Sequence, residues 1–394
     1  MPLSRAEVVV CALQQATEVR RARQELAGLM GQRQAAGTWL PDRPVASLAL
    51  AERVPPGGTE GRVLNWYLSL VQEVEIAGQR SWRLEVADAR LAAGLRRLAA
   101  AEREAAAGAL SAYYTALAAQ EEVHLGRELK AVGERLSALA VARAGQSLLS
   151  AVEADVAQAE GLRLGLVLPE AERRLGAAQA ALGALLGLEA LPRLAGSLDD
   201  LPPPPPEEDA EALVARALVL RGEPAAADAE ARAQQAQVQL LRRARVPNLV
   251  LGFTAQRDGF DERVLGGSLA LALPLPWPLG PSLAGEIAAA RAAVAQAETE
   301  RERVRRQVSW EVRSALAASR AYAEELRLYA PGLLQRAPLQ LRALGEAWAS
   351  GQLPLREALL WQRSLIEVLQ AHVRTRLGVA LGRVQLLRAA GLLP

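Results

Sequence analysis

The sequence is poor in aromatic residues and in cysteine. Aromatic side chains make up only 4% of its 394 residues, whereas hydrophobic residues as a group make up 51%. Compact globular cores normally use large aromatic side chains to fill their volume, but here Ala and Leu supply most of the apolar content. The single cysteine excludes an intramolecular disulfide. This composition favours slender helices that pack side by side over ordinary globular domains.

The sequence also lacks the residue clusters that catalysis and metal binding require. Its two histidines, His124 and His372, stand apart in helical patterns, and Glu121 with His124 has only weak metal-ligand spacing. The glycine pair at Gly266 leads into a strand pattern, whereas a phosphate-binding loop leads into a helix. No Ser/His/acid or Cys/His set can be assembled without an arbitrary choice. We therefore expect no enzymatic activity, no bound cofactor and no metal site.

Neither charge nor hydropathy indicates nucleic-acid binding or a membrane-spanning helix. The 46 basic residues nearly balance the 44 acidic ones, and both alternate along helical patterns, so nucleic-acid binding is not expected. The longest uncharged apolar stretch, 264–285, contains four prolines that a transmembrane helix would not tolerate. No signal peptide is visible ahead of Cys11, which we interpret as a small apolar residue on a helix face. Contact with lipid would therefore have to use β-strands.

Three pairs of similar segments recur in the same order at a nearly constant offset of roughly 200 positions. The pairs begin at Pro41 and Pro247, at Val86 and Ile287, and at Arg143 and Ala349. We therefore predict two structural repeats, 1–190 and 210–394, joined by a Pro-rich linker over 191–209. Five consecutive prolines in this linker predict a polyproline II segment, which serves either as a rigid spacer or as a recognition ligand.

Each repeat is predicted to contain a helix, two strands and two long helices. The apolar periodicity places helices at 4–36, 79–144, 147–187, 224–245, 283–349 and 353–390, and strands at 44–52, 63–74, 248–257 and 264–273. The longest helices would reach about 100 Å at 1.5 Å per residue, which no single globular domain needs. We therefore expect them to fold back at Gly-Gln turns and to pack as antiparallel pairs.

A heptad pattern supports this packing in the last helix. Apolar residues occupy every seventh position, at Leu359, Ile366, Val373, Ala380 and Leu387. Three prolines inside the predicted long helices indicate local kinks or breaks. They are Pro169, Pro331 and Pro338.

The predicted strands alternate apolar residues with small or polar ones at a period of two. The apolar positions are Leu64, Trp66, Leu68, Leu70, Leu249, Leu251, Phe253, Leu269, Leu271 and Leu273. Two hairpins with open edges are not stable alone, which leaves two interpretations. Either both hairpins pack into one small sandwich, or several protomers pool their strands into a closed barrel whose apolar face meets lipid.

The order of these elements and several segments resemble the TolC-like family of outer-membrane efflux proteins. The family's last helical hairpin is similar to residues 326–368, LRLYAPGLLQRAPLQLRALGEAWASGQLPLREALLWQRSLIEV, in which Trp348 takes the place usually held by Tyr. Its entry helix and first strand are similar to ELAGLMGQRQAAGTWLPD at 25–42. Two shorter stretches, from Val74 and from Ala272, look closest to the metal-efflux, CzcC-like branch, although Gln79 stands where that branch commonly has Lys.

The resemblance implies a mainly α fold with a small β part, built from duplicated long antiparallel coiled-coil helices and four strands. It implies a homotrimer whose twelve strands close a transmembrane β-barrel in outer-membrane lipid. The protein would be the channel of a tripartite efflux system, a passive conduit in the bacterial outer membrane that spans into the periplasm. Its partners would be a periplasmic adaptor (membrane fusion) protein and an inner-membrane pump of the RND type.

The resemblance also places docking and gating at the helical turns. The turn and adaptor-docking candidates are Gly145, Gln146, Gly351 and Gln352, and the gate candidates are Glu346 and Glu357. A tight turn between helices needs a residue that tolerates positive φ, and it leaves backbone exposed for a partner. Alternatively, both glycines are only helix C-caps. An alternative function is a soluble or periplasmic coiled-coil adaptor or scaffold that uses the same hairpins to bind partner helices.

Overall fold

The computed structural model describes residues 2–53, 63–204, 209–257, 262–272, 283–329 and 332–393. The helices in these ranges are α1 (Arg5–Gln15), α2 (Thr17–Ala36), α3 (Gln79–Gly145), α4 (Ala151–Leu186), α5 (Ala210–Leu220), α6 (Gly222–Arg243), α7 (Ala284–Arg327), α8 (Leu333–Ala349) and α9 (Leu355–Ala389). The strands are β1 (Val45–Arg53), β2 (Val63–Val74), β3 (Leu249–Arg257) and β4 (Arg263–Leu271). The predicted class, mainly α with a small β part, is confirmed.

Most predicted elements are confirmed to within a few residues, but three helices differ. The first predicted helix, 4–36, forms two separate helices, because the backbone of Ala16, with φ −56° and ψ 128°, ends α1. The predicted helix over 283–349 is also two, and α8 begins after Gly332, whose φ of 71° is not helical. Helix α5 was not predicted; the Asp209 carboxylate caps it by accepting a 2.7 Å hydrogen bond from the backbone N–H of Ala212.

The prolines inside the predicted long helices interrupt them less than expected. Helix α4 runs through Pro169 without a break, and α8 continues through position 338. The predicted break at Pro331 is confirmed, because α7 ends at Arg327 and α8 begins at Leu333. Residue 331 itself lies outside the described residues, as do residues 205 and 206 of the Pro-rich linker. A proline removes only one backbone donor, and the remaining backbone hydrogen bonds of a longer helix keep the element continuous.

The four strands form one antiparallel sheet in the order β1-β2-β3-β4. In its register, Leu70 of β2 lies opposite Phe253 of β3, and Leu251 of β3 lies opposite Leu269 of β4. Paired residues of antiparallel strands point to the same face. The apolar positions of neighbouring strands therefore share one face of the sheet.

The chain forms two compact units, each of which takes segments from both predicted repeats. The sheet unit comprises Arg23–Arg97 and Gly222–Arg305, and the helical unit comprises Met1–Ala22, Leu98–Arg221 and Arg306–Pro394. The units therefore do not coincide with the repeats in sequence. The division of the chain into two repeats and a linker remains a prediction.

The core of the helical unit consists mainly of Ala, Leu and Val, with two tyrosines. The rings of Tyr113 and Tyr114 meet edge to face at 5.4 Å between centroids. Their hydroxyls donate to the backbone carbonyl oxygens of Ala195 and Asp200, so neither buried hydroxyl lacks a partner. Cys11 on α1 packs against the same cluster, as its small apolar character predicts.

The predicted coiled-coil packing is confirmed. The five heptad positions of α9 are at most 8% exposed. Helices α3 and α4 run antiparallel, because Gly126 packs against Leu168 while Gly133 packs against Gly161. A Cβ atom on Gly133 would lie 2.7 Å from the carbonyl oxygen of Gly161, so these two backbones approach too closely for any larger residue.

Candidate functional site

The first turn between helices connects α3 to α4, and two backbone hydrogen bonds close it. The N–H of Ser147 donates to the carbonyl of Ala144 over 3.0 Å, and the N–H of Leu148 donates to the carbonyl of Arg143 over 2.9 Å. This is the Schellman arrangement, in which one residue adopts the left-handed conformation. That residue is Ser147, with φ 59°, and not Gly145, which is the last residue of α3. The predicted role of Gly145 as the positive-φ residue is therefore wrong.

The second turn, between α8 and α9, has the same arrangement. Gly351 has φ 78°, its N–H donates to the carbonyl of Trp348 over 3.1 Å, and the N–H of Gln352 donates to the carbonyl of Ala347 over 3.0 Å. The prediction of a positive-φ glycine at 351 is confirmed. By hydrogen-bond pattern, Gly351 corresponds to Ser147, two residues beyond the position that the sequence match selected.

The structure brings the two turns together through Arg143. Its Nη1 donates a 2.6 Å hydrogen bond to the backbone carbonyl oxygen of Trp348, and its guanidinium carbon lies 5.7 Å from the centroid of the Trp348 ring. A Cβ atom on Gly351 would be 3.7 Å from Arg143 Nη2. Trp348 itself is 2% exposed and packs against Leu136 of α3 and Leu359 of α9. The four predicted turn residues are all exposed around this contact.

The two gate candidates are both exposed, and they belong to different helices. Glu346 lines a small cavity together with Trp348 and Gln362, and among the described residues Glu357 is not part of that lining. Helix α8 carries Glu346 before the second turn, and α9 carries Glu357 after it. Their role as gate residues remains a prediction.

Sequence reasoning missed a buried carboxylate between α4 and α9. The side chain of Glu160 is 3% exposed. Its Oε2 accepts hydrogen bonds of 2.9 Å from Arg163 Nε and 3.0 Å from Arg363 Nη2. Burial raises the pKa of this carboxyl, but the hydrogen bonds from both guanidinium groups outweigh it and hold the pKa below its ordinary value. The i,i+3 spacing from Glu160 to Arg163 was the only local signal, since Arg363 is distant in sequence.

The described lipid-facing candidates share one face of the sheet. They are Leu64, Trp66, Leu68, Leu70, Leu249, Leu251, Phe253, Leu269 and Leu271. All but Trp66 and Leu249 are 40–71% exposed. Leu273 lies outside the described residues. The same face includes Leu48 and Leu50 of β1, which the candidate set omitted although their period-two spacing could have shown them.

The opposite face of the sheet carries a row of hydroxyl groups alongside apolar residues such as Val71 and Tyr67. The hydroxyl groups of Ser47 and Ser69 are hydrogen-bonded over 2.7 Å across β1 and β2. Thr254 continues this row on β3 and donates from Oγ1 to the carbonyl of Gly266 over 3.3 Å. The sheet therefore separates a leucine-rich face from a face with hydroxyl groups.

The isolated histidines do not form metal sites in the described part of the chain, where no group of three His, Cys, Asp or Glu residues could hold an ion. Glu121 accepts a hydrogen bond from Arg376. The ring of His372 packs 4.8 Å from the ring of Tyr329, and burial, with a smaller contribution from Arg376, lowers the pKa of His372. None of the helices in the described ranges has the length and apolar character that crossing a membrane requires.

Solved structures of outer-membrane channels have the same fold as this chain. The outer-membrane channel CmeC of Campylobacter jejuni superposes with a TM-score of 0.80 at 16% identity, covering 98% of this chain and 85% of that one. The open state of the outer-membrane channel MtrE of Neisseria gonorrhoeae superposes with a TM-score of 0.78 at 18% identity, covering 98% and 89%. At these identities the likeness concerns the fold.

A relative identified by sequence similarity supports the same fold. The cobalt-zinc-cadmium resistance protein CzcC of Cupriavidus metallidurans is 29% identical over 206 residues, which are 52% of this chain. The chain covers about half the length of CzcC, 48%, in this match. No protein-family model matches the sequence. The chain therefore has the TolC-like fold of outer-membrane channel proteins, as its resemblance to that family implied.

Proposed function

We propose that this protein is the outer-membrane channel component of a tripartite efflux system, a passive conduit across the outer membrane and the periplasm. The continuous leucine-rich face of the sheet carries this proposal. Burial of apolar surface contributes about 25 cal/mol per Å², so a face with this many exposed leucines requires an apolar cover. The fold shared with outer-membrane channels over 98% of the chain agrees with lipid as that cover.

The assembly that suits this sheet is a homotrimer. Strands β1 and β4 are its two edges, and unpaired edge strands in lipid leave backbone N–H and C=O groups without partners. Edge-to-edge pairing of three copies gives twelve strands and removes every edge. The leucine face then meets lipid, and the face with Ser47, Ser69 and Thr254 lines the lumen.

The partners in this proposal are a periplasmic adaptor and an inner-membrane pump of the RND type. The adaptor docks on the exposed turns, at Gly145 and Gln146 after α3 and at Gly351 and Gln352 after α8. Glu346 and Glu357, on either side of the second turn, contribute to the gate. The contact of Arg143 with Trp348 supports a shared docking surface, because it holds the two turns against each other.

The cargo in this proposal is a divalent transition-metal ion, on the strength of the sequence likeness to a cobalt-zinc-cadmium resistance protein. A passive conduit needs no tight cargo site, so cargo selection belongs to the pump. Purified trimers in liposomes should release trapped zinc, cobalt or cadmium together with small neutral solutes. Liposomes that retain all of these solutes would contradict the conduit.

The assembly is tested on the full-length chain as the cell produces it. We expect trimers in outer-membrane detergent extracts that dissociate on heating, and single-channel conductance after insertion into planar bilayers. A chain that remains monomeric and water-soluble would contradict the proposal. It would favour the alternative, a coiled-coil adaptor or scaffold, which should bind helical partners without conducting ions.

A further inference from the structure

A cavity of about 160 Å³ lies within the helical unit, close to the second turn. Helices α3, α8 and α9 line it, and its apolar lining comes from five side chains. They are Val132, Leu136, Leu139, Leu341 and Trp348. Leu136 and Trp348 belong to one apolar cluster of the core, and Leu341 belongs to another. The cavity is therefore a gap between two packed clusters, of a volume that holds one six-membered ring in other proteins.

One buried polar atom in this lining has no hydrogen-bond partner in the part of the chain that the structure describes. Gln362 on α9 is only 6% exposed, and its buried Nε2 finds no acceptor among the described residues. An unsatisfied buried amide is unfavourable, and native proteins rarely leave one unmatched. A molecule that occupies the cavity and presents an acceptor to Gln362 would satisfy it.

The charged groups around the cavity favour an anionic acceptor. Arg135 and Arg342 line it together with a single acidic residue, Glu346. All three side chains are exposed, so they can adjust to a charged group. The lining therefore has one more basic than acidic residue, and it offers the combination that small-molecule sites use: an apolar body with a few placed polar groups.

We propose that this cavity binds a small aromatic carboxylate. Its ring packs among Leu136, Leu341 and Trp348, and its carboxylate accepts the N–H of Gln362 beside the two arginines. The proposal does not rest on the channel function, because every residue that it uses lies in the helical unit. A bound ring would fill the gap between α3 and the α8–α9 pair, directly beside the contact of Arg143 with Trp348.

The test uses benzoate as the probe and the detergent-solubilised full chain. We expect saturable binding of benzoate by calorimetry, with a shift of the indole N–H resonance of Trp348. Benzylamine, which has a similar ring and the opposite charge, should bind at least about tenfold more weakly. If wild-type protein binds no benzoate, or binds benzylamine equally well, the proposal is overturned.

Two variants separate the cavity from other binding surfaces. Gly345→Leu should abolish benzoate binding, because Gly345 lines the cavity and a Cβ there meets no atom within 4 Å, so the new side chain has room to enter. Gly176→Leu makes the same change at an open position of α4 that does not line this cavity, and it should bind benzoate normally.

Gln362→Leu removes the N–H donor while preserving the volume of the side chain. It should weaken benzoate binding by about tenfold or more, since the carboxylate loses its buried donor. Binding that survives Gly345→Leu or is unaffected by Gln362→Leu would place benzoate elsewhere and overturn the proposal. The melting temperature of each variant shows whether it is folded.

Discussion

Arg143 donates a hydrogen bond from Nη1 to the backbone carbonyl oxygen of Trp348, 205 residues later in the chain. The same carbonyl accepts the N–H of Gly351, so one oxygen closes the second turn and connects it to the first. A charged donor strengthens such a bond roughly twofold over a neutral one. The two turns are therefore one structure, although the sequence places them in different repeats.

We expect Arg143→Met to separate the turns. Loss of a hydrogen bond from a charged donor should lower the free energy of unfolding by about 1.5–3 kcal/mol. Denaturant titration of the solubilised chain measures this change, and limited proteolysis should show faster cleavage at 146–150. The control is Arg127→Met on the exposed face of α3, which should shift the free energy by less than about 0.5 kcal/mol. Equal effects of both changes would contradict the predicted role of Arg143.

The residues of the two turns should respond differently to substitution. Ser147→Gly should stabilise the fold by up to about 1 kcal/mol, because glycine adopts positive φ without the penalty of a side chain. Gly351→Ala should destabilise it by about 1–2 kcal/mol for the same reason. Gly145→Ala should be neutral or stabilising, since this position is helical and open. Thermal unfolding of the three variants measures the order, and a destabilised Gly145→Ala variant would contradict the structure.

The lowered pKa of Glu160 predicts that the folded chain loses stability at acid pH. Its pKa is lower in the folded chain than in the unfolded chain, so its contribution is present above about pH 4.5, the ordinary value, and is lost as pH falls through the folded pKa. Glu160→Gln should lower the free energy of unfolding at pH 7 by about 1–2 kcal/mol. This figure lies below that for a fully buried ion pair, because Arg163 and Arg363 remain half exposed to water.

The difference between Glu160→Gln and wild type should therefore shrink toward pH 3. Glu170→Gln is the matched control, since it removes an exposed partner of Arg174 and should change the free energy by less than about 0.5 kcal/mol. A pH-independent difference for Glu160→Gln would show that its charge does not hold the interface.

His372 predicts a loss of stability at a milder pH. Its pKa is lowered by burial and by Arg376, so the unfolded chain binds the proton first as pH falls below about 6.5, the ordinary value. The free energy of unfolding should therefore decrease between pH 7 and pH 5 in wild type. In His372→Phe, which keeps the ring contact with Tyr329, this decrease should be smaller. Identical pH profiles would contradict a buried, neutral His372.

The two faces of the sheet should differ in their tolerance of charge. If the leucine face meets lipid, Leu269→Arg should destabilise the inserted protein by about 2–4 kcal/mol near the bilayer midplane. Ala270→Arg introduces the same charge one residue later, on the opposite face, and should have a much smaller effect. Unfolding from lipid vesicles compares the two variants, and equal effects would argue against a lipid-facing leucine surface.

Local periodicity was sufficient for most of the secondary structure. The strands follow from the alternation around Leu64 and Leu249, and α3 follows from a long Ala-, Leu- and Arg-rich pattern, because side-chain direction has a fixed period in each element. The break at Ala16 was not predictable in this way, whereas Pro331 did indicate the break before Gly332. The break at Ala16 depends on the backbone dihedral angles of one residue, which local composition does not specify.

The sequence by itself determined the class of this protein, its apolar strand faces and its resemblance to a channel family, because all three depend on the order and spacing of residues along the chain. Only the tertiary structure decided that Ser147 takes the left-handed position, that Arg143 connects the two turns, and that Glu160 is buried between Arg163 and Arg363. These relationships join residues of different helices, and their free energies arise from burial and packing that no local pattern records.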